Sequence, residues 1–368
     1  MSKLLLISPK DNNFYNFRSE LILELKNQGK DVILVCPYGK KIDYFTQQGC
    51  SFIDIAVDRR GKNFLKDFFL LLHYFRIIIK EKPNIVLTYT TKPSVYAGFI
   101  CGILKVPCII NNAGIMEAQG FFSKFMDLLY IIGFRKASCI MFQNDYERNY
   151  IKSLLNREFN YRRIPGSGVN VMQFPFTPYP ESEEVIIFNY VALIKAIKGI
   201  DEFLECAKII KEKYPKTSFR IYGEYDSTDY KEKIRFLEEQ GVVEYIGTLL
   251  DIRPAITSCH AVIHPSYYEG MTNVILEHSA MGRVCIASDI PGCREAIEDG
   301  VTGYLFKSKN VASMISAIQK FIHLSHQERQ RMGIAARKKI VLEFDRQIVT
   351  RTYLNEIDKI DNKDFMNE

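Results

Sequence analysis

The sequence predicts an α/β protein of two similar, doubly wound, Rossmann-like halves facing each other across a cleft. Three observations carry that prediction. Short continuous apolar runs alternate with helical patterns along most of the chain, as expected for parallel strands covered on both faces. The alternation stops at a turn-rich stretch holding Pro165, Pro175, Pro178 and Pro180, and then starts again. A length of 368 residues suits two domains of about 100–200 residues, each with its own core. The boundaries expected are 1–175 for the first domain, 176–345 for the second, and 346–368 for a terminal segment.

The elements follow in order. Residues 4–8 read as a strand. Residues 17–28 read as a helix, because Leu21, Ile22 and Leu25 share one face and Gly29 closes it. Strands follow at 31–36 and 52–56, then a long helix at 64–80. Pro83 leads into a strand at 84–89, followed by a helix at 94–104, a strand at 107–111, a helix at 122–134 and a strand at 137–142. After the turn-rich stretch, strands are expected at 184–191, 218–223, 243–246, 261–264 and 284–288. Helices alternate with them at 200–213, 230–240, 251–259, 274–281 and 311–324, and a last helix covers 347–360. The glycines of Gly166-Ser167-Gly168 form a turn rather than a dinucleotide fingerprint, since Val171 fills the third glycine position. In open sheets of this kind, ligands bind beyond the carboxyl ends of the strands.

Composition narrows the function. Hydrophobic residues make up 47% and charged residues 25%, so the chain is globular, with disorder expected only in the polar tail from about Asp358. A net charge of +6 fits an anionic substrate or a membrane surface, and no basic run interleaves with aromatics as nucleic acid would require. Nine scattered cysteines, an odd number without framework spacing, read as small buried apolar groups in a reducing, cytoplasmic setting. No run of about 20 apolar residues exists to span a bilayer. The helices at 64–80 and 120–135 carry aromatics, leucines and cations. Most of these serve the core, and a minor face suits peripheral contact with a membrane.

The chemistry concentrates between His264 and Phe306. A strand ends at His264, a loop carries Glu269 and Gly270, and a helix opens near Thr272. Backbone N–H groups of Met271, Thr272, Asn273 and Val274 at that opening offer donors and a positive dipole to a diphosphate. Gly270 permits close approach of a ligand to the backbone. Glu277 can accept hydrogen bonds from ribose hydroxyls, and Glu269 can meet a neutral sugar. Either carboxylate alone would read as a solvated charge. Their Glu-x7-Glu spacing, the preceding Pro265-Ser266 and the following Gly300-x-x-Gly303 favour a site.

Pro265-Ser266-Tyr267-Tyr268-Glu269-Gly270, Glu277, Met281-Gly282, Pro291-Gly292 and Gly300-Val301-Thr302-Gly303 together resemble the retaining family-4 glycosyltransferases of GT-B fold. The resemblance implies that Glu269 contacts the donor sugar and Glu277 the ribose, and that the terminal helix crosses back onto the first domain. VLTYTTKPSVYAG (86–98), IINNAGI (109–115), CIMFQNDYER (139–148) and IPGSGVNVMQF (164–174) are similar to the branch that extends polyprenyl-diphosphate-linked sugars in capsule and O-antigen assembly. That branch implies a UDP-sugar donor, a polyprenyl-diphosphate-linked sugar acceptor, and work at the inner face of the plasma membrane. It also implies that Thr91, Lys92, Asn112, Gly114 and Asn144 line the acceptor side, where Lys92 would offset diphosphate charge.

One departure weakens the match. The resemblance places an Arg five residues before a Lys-Gly pair. Lys198 and Gly199 are present, but Leu193 occupies the Arg position. Losing one guanidinium removes roughly 1.5–3 kcal/mol from a diphosphate site, on the order of tenfold to a hundredfold in affinity or rate. Lys195, and Arg18 in the first strand-to-helix turn, are the candidates to compensate. No Asp-x-Asp occurs, so neither a metal bridge nor a cofactor is expected. Cys259, His260 and His264 lack a second cysteine pair and read as packing rather than as zinc ligands. Two other readings stay open: a catalytically silent sugar-nucleotide-binding partner of an assembly complex, supported by Leu193, and a nucleotide-sugar epimerase on the same fold.

Overall fold

The structure, a computed structural model, describes residues 2–57, 64–112, 121–181 and 184–365. Among them, two sheets form. The first contains β1 (Lys3–Ile7), β2 (Asp31–Cys36), β3 (Ser51–Asp54), β4 (Ile85–Tyr89), β5 (Cys108–Asn112), β6 (Cys139–Phe142) and β7 (Tyr161–Arg163), in the order β3-β2-β1-β4-β5-β6-β7. The second contains β8 (Ile186–Val191), β9 (Thr217–Tyr222), β10 (Glu244–Gly247), β11 (Ala261–His264), β12 (Val284–Ser288) and β13 (Gly303–Phe306), in the order β10-β9-β8-β11-β12-β13. All neighbours in both sheets run parallel. Each chain half starts mid-sheet, winds to one side, and returns to fill the other. The direction reverses between β1 and β4 in one sheet and between β8 and β11 in the other. Such a reversal leaves a crevice at the carboxyl ends of the two strands.

Strand periodicity builds the cores. Leu4, Leu6, Val32, Leu34, Ile85 and Leu87 pack on one face of the first sheet against Leu21, Ile22, Leu25, Val349, Tyr353 and Ile357. Leu5, Ile7, Ile33, Val35, Val86 and Ile110 pack on the other against Tyr74, Ile78, Val95, Ile100, Tyr130 and Phe134. This alternation buries a strand on both sides. The second sheet is covered likewise, by Phe203, Leu204, Ile210, Ile318 and Phe321 on one face and Ile275, Leu276, Ile340 and Phe344 on the other.

The chain divides into one compact unit of Met1–Ser167 with Arg346–Glu368 and a second of Gly168–Asp345. The division falls after Ser167 rather than after 175. The physical reason lies in hydrogen bonds that tie the intervening segment to the second unit. Val169 N donates to Phe344 O at 2.9 Å, and Arg337 donates to the carbonyls of Phe174 (2.8 Å) and Val171 (3.4 Å). The terminal helix Arg346–Phe365 is held in the first unit by Glu356 with Arg162 (2.7 Å), Asp361 with Lys30 (2.6 Å) and Arg346 with Glu20 (3.2 Å). The tail expected to be disordered from Asp358 is therefore helical as far as Phe365.

Two further differences have local causes. The helix expected at 17–28 is present as Ser19–Asn27, and a further helix, Asp11–Phe17, precedes it; Arg18 separates the two by leaving helical geometry (φ −136°, ψ 7°) as its side chain turns inward. The helix His326–Glu343, unread in the sequence, starts from a reciprocal cap: Ser325 accepts from Glu328 N, and Glu328 accepts from Ser325 N.

Candidate functional site

The reversal in the second sheet brings together two loops, 192–199 after β8 and 265–272 after β11. They touch through backbone. Tyr267 N donates to Ile197 O at 3.0 Å. Gly199 stands at φ +70°, where a Cβ would lie 2.1 Å from Pro265 O, so only glycine lets the loops meet at this distance. Gly199→Ala should combine left-handed strain with overlap, costing on the order of 1–3 kcal/mol. A lower melting temperature together with weakened ligand binding in titration calorimetry is the expected result. Unchanged values for both would show that the loops do not depend on this contact.

Lys198 closes a 3-10 turn, Ala196–Lys198, and Nζ lies 2.5 Å from Glu269 Oε1. His264, at the end of β11, places Nε2 3.2 Å from the same oxygen. Burial pushes the Glu269 carboxyl up, but the His264 hydrogen bond and charge, with Lys198 behind them, outweigh it and hold the group at about 2. Glu269 is thus an ionised carboxylate at any ordinary pH. The Pro291-Gly292 turn braces this loop from behind: a Cβ on Gly292 (φ +88°) would lie 2.6 Å from Gly270 O and 2.9 Å from Glu269 O.

The helix Asn273–Ala280 opens beside the same loop. Thr272 is its N-cap, and its side chain makes no capping hydrogen bond. Thr272 is buried, while Gly270, Met271, Asn273, Val274 and Glu277 are half-buried around that opening. Lys195, half-buried, heads the 3-10 turn, and Leu193 is half-buried in the segment leading to it.

The other expected residues lie in the first unit, where Arg18 requires a correction. Its side chain does not stand open at a turn. It is 4% exposed, with the guanidinium over the rings of Tyr89 (5.0 Å) and Tyr353 (5.5 Å) and Nη1 donating to Phe17 O at 2.7 Å. Burial between two aromatic faces holds this cation within the core of the first unit. Thr91 begins the helix Thr91–Leu104 at the end of β4, beside the first sheet's reversal. Lys92 is ion-paired with Asp67 at 2.8 Å, so its charge is already partly compensated. Asn112 ends β5, and Asn144 caps the helix Asp145–Leu155 by accepting from Glu147 N at 2.9 Å. Gly114 lies outside the described residues.

Two residues went unread in the sequence. Glu147 is fully buried and accepts from Asn112 Nδ2 at 3.3 Å, which joins Asn112 and Asn144 in one polar cluster. Its signal was the Asn-x-x-Glu spacing of a helix cap. The second is His264, which reads in the sequence as a strand end and as packing, not as a partner of Glu269. Its signal was its place at a strand end, one short loop before Glu269.

Two doubly wound parallel sheets, with charged loops gathered at the strand-order reversal of the second, define the GT-B glycosyltransferase fold. Residues 174–339 match the family of glycosyl transferases group 1, and residues 3–144 match the glycosyl transferase 4-like family. The chain belongs to these group 1, family-4-like glycosyltransferases. Among its relatives is the N,N'-diacetylbacillosaminyl-diphospho-undecaprenol alpha-1,3-N-acetylgalactosaminyltransferase of Campylobacter jejuni, 25% identical over 95% of this chain and 96% of that protein. Another is the UDP-Gal:alpha-D-GlcNAc-diphosphoundecaprenol alpha-1,3-galactosyltransferase of Escherichia coli, 25% identical over 80% of each. The fold is shared with Anabaena HepE in complex with UDP and glucose, at a TM-score of 0.79 and 14% identity over 98% of this chain and all of that one.

Proposed function

We propose that the protein transfers a hexose or N-acetylhexosamine, with retention, from a UDP-sugar to a polyprenyl-diphosphate-linked sugar in bacterial surface-polysaccharide assembly. The observation that carries this reading is the Lys198–Glu269–His264 cluster at the reversal of the second sheet. The names of the two relatives above support the donor and acceptor classes. In this reading Glu269 holds the donor sugar, and Glu277 the ribose. Lys198 and the backbone around Met271–Val274 receive the diphosphate, with Lys195 alongside.

As the bond from the anomeric carbon to the UDP oxygen breaks, charge grows on the departing diphosphate. Lys198 and the helix opening stabilise that charge where it develops. The acceptor hydroxyl oxygen then bonds to the anomeric carbon from the same face, and its proton passes to the leaving phosphate. No metal or cofactor is assigned a part. Thr91, Asn112, Asn144 and Gly114 are assigned to the acceptor.

The test is purified protein with a panel of UDP-sugars and a synthetic polyprenyl-diphosphate sugar. UDP release and a product heavier by one hexosyl or N-acetylhexosaminyl group are expected with one donor. UDP binding without turnover on any donor would replace this reading by the silent binding partner that Leu193 favours.

An acceptor of this class supports work at the inner face of the plasma membrane. No helix among the described residues is long and apolar enough to cross a membrane, and the contact proposed is peripheral. The helix Phe64–Glu81 supports it with a second apolar stripe. Leu70, Tyr74 and Ile78 face the core, whereas Phe68 (57% exposed), Phe75 (36%) and Ile79 (46%) face outward, with exposed Arg76 and Lys80 beside them. Cations flanking an outward apolar stripe suit an anionic bilayer. Phe68→Ser with Phe75→Ser should reduce binding to vesicles containing anionic lipid by about tenfold or more, at roughly 1–2 kcal/mol per inserted ring. Cosedimentation equal to wild type would remove this helix from the proposal.

A further inference from the structure

His264 has no part in the transfer as set out above. It is 3% exposed and ends a central strand. Cys259 and His260, close to it in sequence, turn to different partners. Cys259 Sγ lies 3.4 Å from Ile256 O, His260 Nδ1 accepts from Ile187 N at 3.1 Å, and His264 Nε2 meets Glu269. We propose that His264 is a positioning residue for the donor sugar: it donates from Nε2 to Glu269 Oε1 and holds that carboxylate with Oε2 turned to the substrate. This inference rests on the assignment of Glu269 to the sugar.

The geometry divides the labour. Lys198 and His264 converge on one oxygen, Oε1. The Glu269 side chain keeps 15% exposure, which leaves Oε2 as the oxygen for a sugar hydroxyl. An ionised carboxylate only accepts hydrogen bonds, so the shared proton belongs to Nε2. Lys198 alone makes a poor anchor. Its stem is flexible, and a diphosphate arriving beside it competes for its charge. The imidazole has two torsions and is packed at a strand end, so it keeps Glu269 oriented when Lys198 turns to phosphate. The neighbouring His278 cannot replace it. His278 Nδ1 is 2.8 Å from Val274 O, and burial keeps that ring neutral down to about 3.

The experiment compares His264→Leu with His264→Gln, whose amide can restore a donor near the Nε2 position. Turnover and the dissociation constants of UDP and UDP-sugar are measured on each. His264→Leu should lower kcat/KM by about ten- to a hundredfold and weaken UDP-sugar binding relative to UDP. His264→Gln should recover most of both. UDP alone should bind all three proteins within about twofold, which a merely structural loss would not allow. Three results would each overturn the proposal: a leucine variant equal to wild type, a glutamine variant as damaged as leucine, or UDP affinity falling along with sugar affinity. Wild-type protein that neither turns over nor binds any UDP-sugar would sink the functional reading itself. Active wild type with an unaffected leucine variant sinks only the role of His264.

Discussion

Glu269→Ala should reduce sugar transfer by about a thousandfold or more, because it removes the carboxylate assigned to the reacting sugar from a preorganised, largely dry site. The fold should survive, since Lys198, 24% exposed, can turn to water. Circular dichroism and turnover measured on the same sample check both halves of the claim. Turnover within threefold of wild type would mean that the donor sugar is held elsewhere. The pH behaviour adds a second signature. The carboxyl is held at about 2 by His264 and Lys198 against the opposing effect of burial, whereas the unfolded chain has it near 4.3. A depressed folded value contributes stability that is fully present above the unfolded value and is lost as pH falls through the folded one. The stability gap between wild type and Glu269→Ala should therefore stay level above about pH 5.5 and close between about 4.5 and 2. An acid limb of activity near pH 6 would belong to another group.

Much of this fold was legible because its central strands are apolar throughout. The strands 31–36, 261–264 and 284–288 and the helix 200–213 coincide with Asp31–Cys36, Ala261–His264, Val284–Ser288 and Ile200–Lys213. The elements that escaped have weak local signals. β7 spans only Tyr161–Arg163 at a sheet edge. The helix His326–Glu343 buries Arg329, Met332, Gly333, Ala336 and Ile340, a stripe at helical spacing but with little apolar surface, so its cap was the better clue. In the site, the Glu-x7-Glu spacing is local and readable. The Lys198–Glu269 pair joins residues 71 apart and follows only once β11 is known to lie beside β8. Arg18 could not be placed from sequence, because one of the rings that bury it, Tyr353, comes from the far end of the chain.

Arg283→Met should be the most damaging single change to stability in the second unit. Arg283 is fully buried, and no carboxylate pairs with it among the described residues. Its guanidinium is satisfied by oxygens instead: Ile256 O (3.0 Å), Thr177 O (3.0 Å), Met281 O (3.1 Å), Pro178 O (2.8 Å), Thr257 O (2.8 Å) and Thr177 Oγ1 (2.9 Å). The Tyr179 ring lies 5.6 Å from it. Burial lowers its pKa, so the oxygen cage must offset the cost of a charge removed from water. Methionine fills much of the volume but strands several carbonyls, at about 3–5 kcal/mol. For a unit of this size, that is a fall in melting temperature of about 6–20 °C. Arg283→Lys should be intermediate, since three donors on a point charge cannot span the acceptors of a planar fork. Thr177 and Pro178 belong to the segment entering β8, so the same change should loosen the strand that leads into the Lys198 turn. Calorimetry should show the transition of Gly168–Asp345 moving down while that of the first unit stays in place. A methionine variant melting within 2 °C of wild type would show that the cage is incidental to stability.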